Sequence, residues 1–541
     1  MSKVFKNRII LIIVLLFAIF LRIYKLGIIP SGFHQDEAIN AYLGKFVLIN
    51  GKDVFGRTFP IFYIDKWGDY PPALPMYFAG LGSLIFSDTV FGARIFFAII
   101  STLNCLSIYL LTIKLTKNRT IGLLSAFFLA INQWHINMTR SAAEGIIALF
   151  FYTVGLWLFC YKSKKMEILS FIMFAVAFLS YPSFRITVPA TFAIISLLDF
   201  IYHKILSIKS IVFLIIFSLF TLYVSSTDWG RARLNQTTIV KKVIEDKEFY
   251  NQFIYDEKDP VIARIFHNRY VLITNEFLRQ YFSYFSTMFL FIEGGRPEWY
   301  RYPNSGLFYI TMLIFTAGLF LPFKKDKTKY NNNLIYFLLL LLLIAPFPSA
   351  LTYEHAIHMH RSILMILPFI ILSSLGAYRL FANSKLRMFK FLLTIALLIE
   401  FINFYHNYFA HVSSYKALHR SDGNQNIAVY LAENKNKFTT AEVYISGWFP
   451  LYYLYFSSNY DKQLIGKIQK GMRLDSIDNI NFYGQDCPTD KDKLVKVKPN
   501  SIVVYHSTCR GIFQLTKDFK LEKEIKDITG LPIFLVYRKT Q

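Results

Sequence analysis

The sequence has little of what a soluble or disulfide-stapled protein needs. Four cysteines in 541 residues are too few for a disulfide framework, and no Cys-x-x-Cys or His/Cys cluster has zinc-ligand spacing. Charged residues are 17% of the chain against 54% hydrophobic and 18% aromatic. The mean hydropathy of +0.38 is too apolar for a soluble chain of this length. No Gly-rich phosphate loop appears, which speaks against a nucleotide donor, and there is no internal repeat or low-complexity tract. Asp490-Lys491-Asp492 has the Asp-x-Asp form that holds a divalent ion and a diphosphate, but it lies in a Lys-rich stretch and reads as a solvated charge run.

What is present is a series of long apolar runs. The net charge of +24 is carried largely by Lys and Arg in short loops between them, which fits the positive-inside rule rather than nucleic-acid binding. Ile9 to Tyr24, preceded by Lys3, Lys6 and Arg8 and followed by no small-residue cleavage site, reads as an anchor with a cytoplasmic N-terminus. His34 to Asn50 and Ala73 to Phe86 read as interfacial helices. Further crossings are expected at Val90–Ile113, Ile121–Trp134, Gly145–Tyr161, Leu169–Tyr181, Ile186–Tyr202, Ile211–Ser225, Gly306–Phe323, Leu334–Ala350, Ile363–Leu380 and Phe391–Tyr405. The expected fold is thus an α-helical polytopic membrane protein of about 11 transmembrane helices, several shorter than the usual ~20 residues.

The expected division is a membrane domain over 1–409, with outer loops 27–88 and 226–305, and a soluble extracytoplasmic α/β domain over 410–541. Short β-branched and aromatic strands are expected there at Val443–Ser446, Ser501–Tyr505 and Ile533–Tyr537, with helices at Asn424–Glu433 and between Asp461 and Lys470. On the oxidising side a bridge between Cys487 and Cys509 is permitted but not required. Cys105 and Cys160 fall in apolar runs and read as packing residues.

The chemistry is expected at the outer edge of the bilayer, where a carboxylate is expensive to desolvate. Asp36 and Glu37 follow the first span, and on a helix adjacent residues point about 100° apart, so only one is expected to face a reacting centre. Asp69, in Trp67-Gly68-Asp69-Tyr70-Pro71-Pro72, and Glu144 are further acidic candidates on the same side. A carboxylate there suits deprotonation of an acceptor. A departing phosphate calls for a cation, for which Arg140, Arg185 and Arg361 are candidates. His355, His358 and His360 precede Arg361, but no acidic partner follows at a ligand spacing, so no metal and no cofactor are expected.

These segments carry a resemblance. Gln35-Asp36-Glu37-Ala38, Asp69-Tyr70-Pro71-Pro72, Phe91-Gly92-Ala93-Arg94, Arg140-Ser141-Ala142-Ala143-Glu144 and Arg361 with Pro368 recur in an order similar to that of the glycosyltransferase C superfamily. The similarity is to the branch of protein O-mannosyltransferases and the lipid A aminoarabinose transferase, and it covers at least Arg8–Tyr202 and His355–Phe381. It implies an inverting transferase of the plasma (inner) membrane that moves a sugar from an undecaprenyl- or dolichyl-phosphate donor on the outer face, without nucleotide. The acceptor is a lipid, protein or polysaccharide. Asp36 takes the base role by analogy and Glu37 a supporting one. Tyr70 departs from the Lys found there in some aminoarabinose transferases, so a phosphate contact at that position does not carry over. A transporter or flippase calls instead for charged or broken segments at mid-membrane in corresponding halves. A polymerase or ligase of lipid-linked glycans calls for chemistry centred on basic and histidine residues of later loops.

Overall fold

Hydrophobic runs punctuated by Gly, Pro and charged turns give a mostly helical chain. The computed structural model describes residues 3–240, 251, 254–255, 261, 265–266, 268–302, 304–321, 332–382, 386–464, 475–489, 497–511 and 515–540. Asp490–Asp492 and most of the helix expected between Asp461 and Lys470 lie outside these. The first half runs through α1 (Lys3–Ile23), α2 (Gln35–Asn50), α3 (Ala73–Phe86), α4 (Val90–Thr116), α5 (Arg119–Ile131), α6 (Gln133–Arg140), α7 (Gly145–Phe159), α8 (Lys164–Ser180), α9 (Phe184–His203), α10 (Ile208–Ser226) and α11 (Asp228–Thr237). Then come α12 (Arg269–Ser283), α13 (Ile310–Gly318), α14 (Asn332–Ile344), α15 (Phe347–Ala350), α16 (Ile366–Ala382) and α17 (Arg387–His406). Six helical stretches among the described residues are long and apolar enough to cross a membrane: Val90–Thr116, Phe184–His203, Ile208–Ser226, Asn332–Ala350, Ile363–Ala382 and Arg387–Lys416. The protein is a polytopic membrane protein. Most of its helices follow the expected hydropathy runs, but the Gly306–Phe323 run holds only the short α13, the Leu334–Ala350 run divides into α14 and α15, and a third run is also broken. The Ile121–Trp134 run divides at Asn132, whose side chain accepts from His135 N at 2.8 Å and so starts α6.

The chain divides into two compact units. One comprises 1–24, 68–72 and 97–405. Within it an aromatic seam joins α8, α9 and α10, with Phe174, Phe192 and Phe213 in edge-to-face contact at centroid distances of 4.9 Å. α13 and α16 approach closely at Gly376, where a Cβ would lie 1.8 Å from the Phe315 carbonyl.

The other unit comprises 25–67, 73–96 and 406–541, so most of the first polar loop groups with the C-terminal residues. α2 and α3 cross at Gly44 and Gly80, where added Cβ atoms would meet Met76 O at 1.8 Å and Lys45 N at 2.2 Å. α2 is buried continuously from Glu37 to Val47. Part of its cover is an aromatic stretch of the C-terminal residues, where Tyr460 stacks on Tyr42 at 5.1 Å. The C-terminal residues fold as α18 (Val412–Lys416), α19 (Asp422–Asn434), β1 (Ala441–Tyr444), α20 (Phe449–Phe456), β2 (Ser476–Ile477), β3 (Ile480–Phe482), β4 (Ile502–His506), β5 (Phe519–Lys526) and β6 (Pro532–Lys539). The strands form one sheet in the order β2-β3-β1-β4-β6-β5. β1 pairs in parallel with β3 and β4, and the other pairs are antiparallel. Cys487 and Cys509 are bridged, which closes a separation of 22 residues. Cys105 is buried and Cys160 partly so, both free.

Candidate active site

The N-terminus of α2 is built as a reciprocal cap. His34 Nδ1 accepts from Asp36 N (3.3 Å), and Glu37 Oε2 accepts from His34 N (3.2 Å). Glu37 Oε2 also accepts from Arg94 Nη2 at 2.8 Å and Arg420 Nη2 at 2.7 Å. Arg94 goes on to the carbonyls of Leu26 (3.1 Å), Pro30 (3.1 Å) and Gly32 (2.8 Å), so one guanidinium stitches the approach to α2. Gly32 has φ +76°, and a Cβ there would lie 2.6 Å from the Arg420 carbonyl. Only glycine suits that position.

The two adjacent carboxylates therefore separate. The Glu37 side chain is 4% exposed. Burial alone would raise its pKa, but the Arg420 and Arg94 guanidiniums outweigh burial and hold it below the usual carboxylate range. Asp36 is 45% exposed, with Lys66 Nζ at 3.0 Å from Oδ1 and His34 Nδ1 at 3.5 Å from Oδ2. Burial lowers His34 to about 4, against the pull of Asp36, so its ring is neutral near pH 7 and serves as the cap acceptor. Asp36 is thus the accessible acid of the pair, on a helix N-terminus that favours negative charge.

The remaining candidates fall in the other unit. Arg140 is fully buried, and its Nη1 and Nη2 donate to the carbonyls of Leu21 (3.1 Å), Arg22 (3.1 Å) and Tyr24 (2.8 Å). It closes the C-terminal end of α1, a structural use rather than the expected contact with substrate. Arg185 and Arg361 line one cavity of 260 Å³ together with Tyr181, Thr221, Leu234 and Thr352. Arg361 donates to Thr352 Oγ1 (2.7 Å) and Glu354 Oε2 (3.0 Å). Arg185 lies 5.4 Å from the Trp229 ring centre. Glu144 Oε2 is 3.7 Å from His360 Nε2, and the His360 ring stacks on Tyr181 of the cavity wall at 4.2 Å. The three late histidines do not converge: His355–His358 and His358–His360 ring centres are 6.4 and 6.2 Å apart, and His360 Nε2 accepts from Gly145 N at 2.7 Å. Asp69 and Tyr70 are half-buried after Gly68, whose carbonyl accepts from Gln236 Nε2 at 3.4 Å. They are not among the cavity's lining residues.

The sequence reading missed Lys66 and Arg420. Arg420 is fully buried yet lies in a hydrophilic stretch after the last apolar run, where nothing marks it as a partner of Glu37.

Residues 69–223 match the sequence model of the dolichyl-phosphate-mannose-protein mannosyltransferase family. The whole chain is also similar in fold to ArnT from Cupriavidus metallidurans, solved with undecaprenyl phosphate, at 10% identity and a TM-score of 0.52, covering 99% of this chain and 98% of that one. The chain thus shares the fold of ArnT, and its residues 69–223 carry the mannosyltransferase family's sequence pattern. Other glycosyltransferase C structures align less well. The oligosaccharyltransferase AglB from Archaeoglobus fulgidus, in complex with an inhibitory peptide and a dolichol-phosphate, has 13% identity and a TM-score of 0.48, over 84% of this chain and 64% of that one. The arabinofuranosyltransferase AftD from Mycobacteria has 13% identity and a TM-score of 0.41, over 100% and 40%. The chain therefore spans just under two thirds of the archaeal protein's length. Among curated proteins no sequence match is found.

Proposed function

We propose that this protein is a glycosyltransferase C enzyme that transfers a sugar from a polyprenyl-phosphate donor to an acceptor on the outer face of the plasma membrane, with inversion and with Asp36 as base. The observation that carries the reading is the division of labour at α2: Glu37 is locked by Arg94 and Arg420, and Asp36 beside it is accessible. In the reaction the Asp36 carboxylate takes the proton from an acceptor hydroxyl or amine, and the acceptor atom bonds to the anomeric carbon. The bond from that carbon to the phosphate oxygen breaks, and polyprenyl phosphate leaves with the electron pair. Lys66, 3.0 Å from Asp36, holds the base in place before the proton arrives. The cavity lined by Arg185 and Arg361 offers guanidiniums and apolar walls, the chemistry a lipid phosphate requires.

ArnT is described with undecaprenyl phosphate, and a lipid-borne donor also agrees with the positive-inside expectation that puts the carboxylates outside the compartment where nucleotide sugars are kept. The test is transfer by the purified protein in vesicles. A sugar on polyprenyl phosphate is expected to be consumed with release of polyprenyl phosphate, without added nucleotide. Turnover of a nucleotide sugar, with none of the lipid-linked sugar, overturns the reading.

A further inference from the structure

In the parallel part of the C-terminal sheet, β1 ends at Tyr444 and β4 at His506, and the chain leaves both strands on the same side. The carboxyl ends of parallel strands are where α/β sheets habitually bind ligands. Here they open into a polar cavity of 290 Å³ lined by Gln35, Asp422, Trp448, Asp486, His506 and Asp527, among others. The volume of 290 Å³ is just below the range of about 300–1,000 Å³ for small-molecule sites, and the lining is mostly polar, which suits a compact hydroxylated group rather than a lipid chain.

The walls are held in place. Asp486 Oδ1 accepts from Ser446 N at 2.9 Å, and its carbonyl accepts from His506 N at 3.2 Å. The Cys487–Cys509 bridge fastens the residue after Asp486 to the turn after β4. Asp422 Oδ2 accepts from Ile528 N (2.8 Å) and Asp527 Oδ1 from Thr529 N (2.8 Å), which joins the opposite wall. His506 Nδ1 is shared with Thr508 Oγ1 at 2.8 Å, which leaves Nε2 for another partner. Trp448 supplies an aromatic face beside these acceptors, with Trp67 at 5.5 Å behind it.

The cavity adjoins the base. Gln35 lines it and Asp36 is the next residue. Trp448 is also 6.0 Å from Lys66 Nζ, which pairs with Asp36 at 3.0 Å.

We propose that this cavity at the carboxyl ends of β1 and β4 is the acceptor subsite and that its occupant is a sugar unit of a saccharide acceptor. A sugar ring presents a C–H face to Trp448 and hydroxyls to carboxylates and a histidine held rigidly around it. The proposal rests on the transferase reading for the word acceptor, but the binding it asserts is independent of turnover.

The experiment titrates the full-length protein in detergent with mannotetraose, maltotetraose and chitotetraose, read by tryptophan fluorescence and by saturation-transfer NMR, on wild type and on Trp448→Ala, Asp486→Asn and His506→Gln. Saturable binding of at least one saccharide is expected, weakened by about tenfold or more in Trp448→Ala, as for loss of an aromatic anchor, and also weakened in the two conservative variants. In transfer assays the same variants are expected to raise the acceptor KM and leave the donor KM unchanged. If Trp448→Ala does not fold, Asp486→Asn and His506→Gln decide. Saccharide binding that depends on these residues, in a protein that transfers nothing from polyprenyl phosphate, keeps the subsite and removes the transferase reading. Transfer with an unchanged acceptor KM in all folded variants removes the subsite and keeps the transferase. No saccharide binding, or saturation of the cavity by a Ser/Thr peptide instead, overturns the proposal.

Discussion

Glu37 Oε2 and Arg420 Nη2 are 2.7 Å apart across 383 residues of sequence, and the same oxygen holds Arg94. One carboxylate therefore ties the N-terminus of α2, the start of α4 and the segment ahead of α19 into a single unit. Removing it leaves two fully buried guanidiniums side by side. Breaking a buried pair by deleting one partner costs about 3–5 kcal/mol. Glu37→Gln is expected to lower the thermal midpoint markedly and to reduce the yield of folded protein. A variant with wild-type unfolding and reduced turnover would instead place Glu37 in the chemistry.

Acid is expected to loosen the same region. Burial holds the His34 pKa at about 4 in the folded chain against 6.5 when free, so between these values the unfolded chain binds the extra proton. Stability is then complete above about pH 6.5 and falls as pH drops toward 4, by at most about 1.4 kcal/mol per pH unit. Glu37, held low by its arginines, adds a loss of the same sign at still lower pH. Denaturant unfolding between pH 7.5 and 4.5 measures the slope. His34→Asn, which keeps a side-chain acceptor at the cap, is expected to flatten it.

Arg185→Ala and Arg361→Ala are each expected to lower kcat/KM for the lipid donor by about 10- to 150-fold, the equivalent of one charge-assisted hydrogen bond of about 1.5–3 kcal/mol. Acceptor KM is expected to be unchanged. Arg361→Lys is expected to recover part of the loss, because a point charge replaces a fork. Equal losses toward donor and acceptor would mean that the arginines only shape the cavity.

Of the roughly eleven expected spans, the six that are long and apolar enough to cross among the described residues were legible because a membrane helix announces itself locally, through length and hydropathy. Among them α9 and α10 differ from expectation by one to three residues, and the helix expected to be interfacial at Ala73–Phe86 has the ends it was given. The Asp36–Glu37 pair drew notice for the same reason, since charge after an apolar run stands out. What each acid does was not legible. Glu37 depends on Arg420, and no periodicity links residues 383 apart. Asp36 depends on Lys66, one of many lysines in polar loops. Arg140 was a candidate for a departing phosphate because it is a cation expected at the outer surface, but its guanidinium donates to the carbonyls that end α1. The break at Asn132 was hidden because the apolar run read on to Trp134, two residues into α6, and capping was decided by a single side chain.

The most direct measurement is the rate of sugar transfer from a defined polyprenyl-phosphate donor in vesicles by Asp36→Asn beside wild type, with insertion and thermal unfolding followed in parallel. The account predicts a folded, inserted protein that still binds donor and whose kcat falls by about 10²–10⁴-fold, the usual contribution of a positioned general base. Wild-type turnover in a folded Asp36→Asn protein contradicts it.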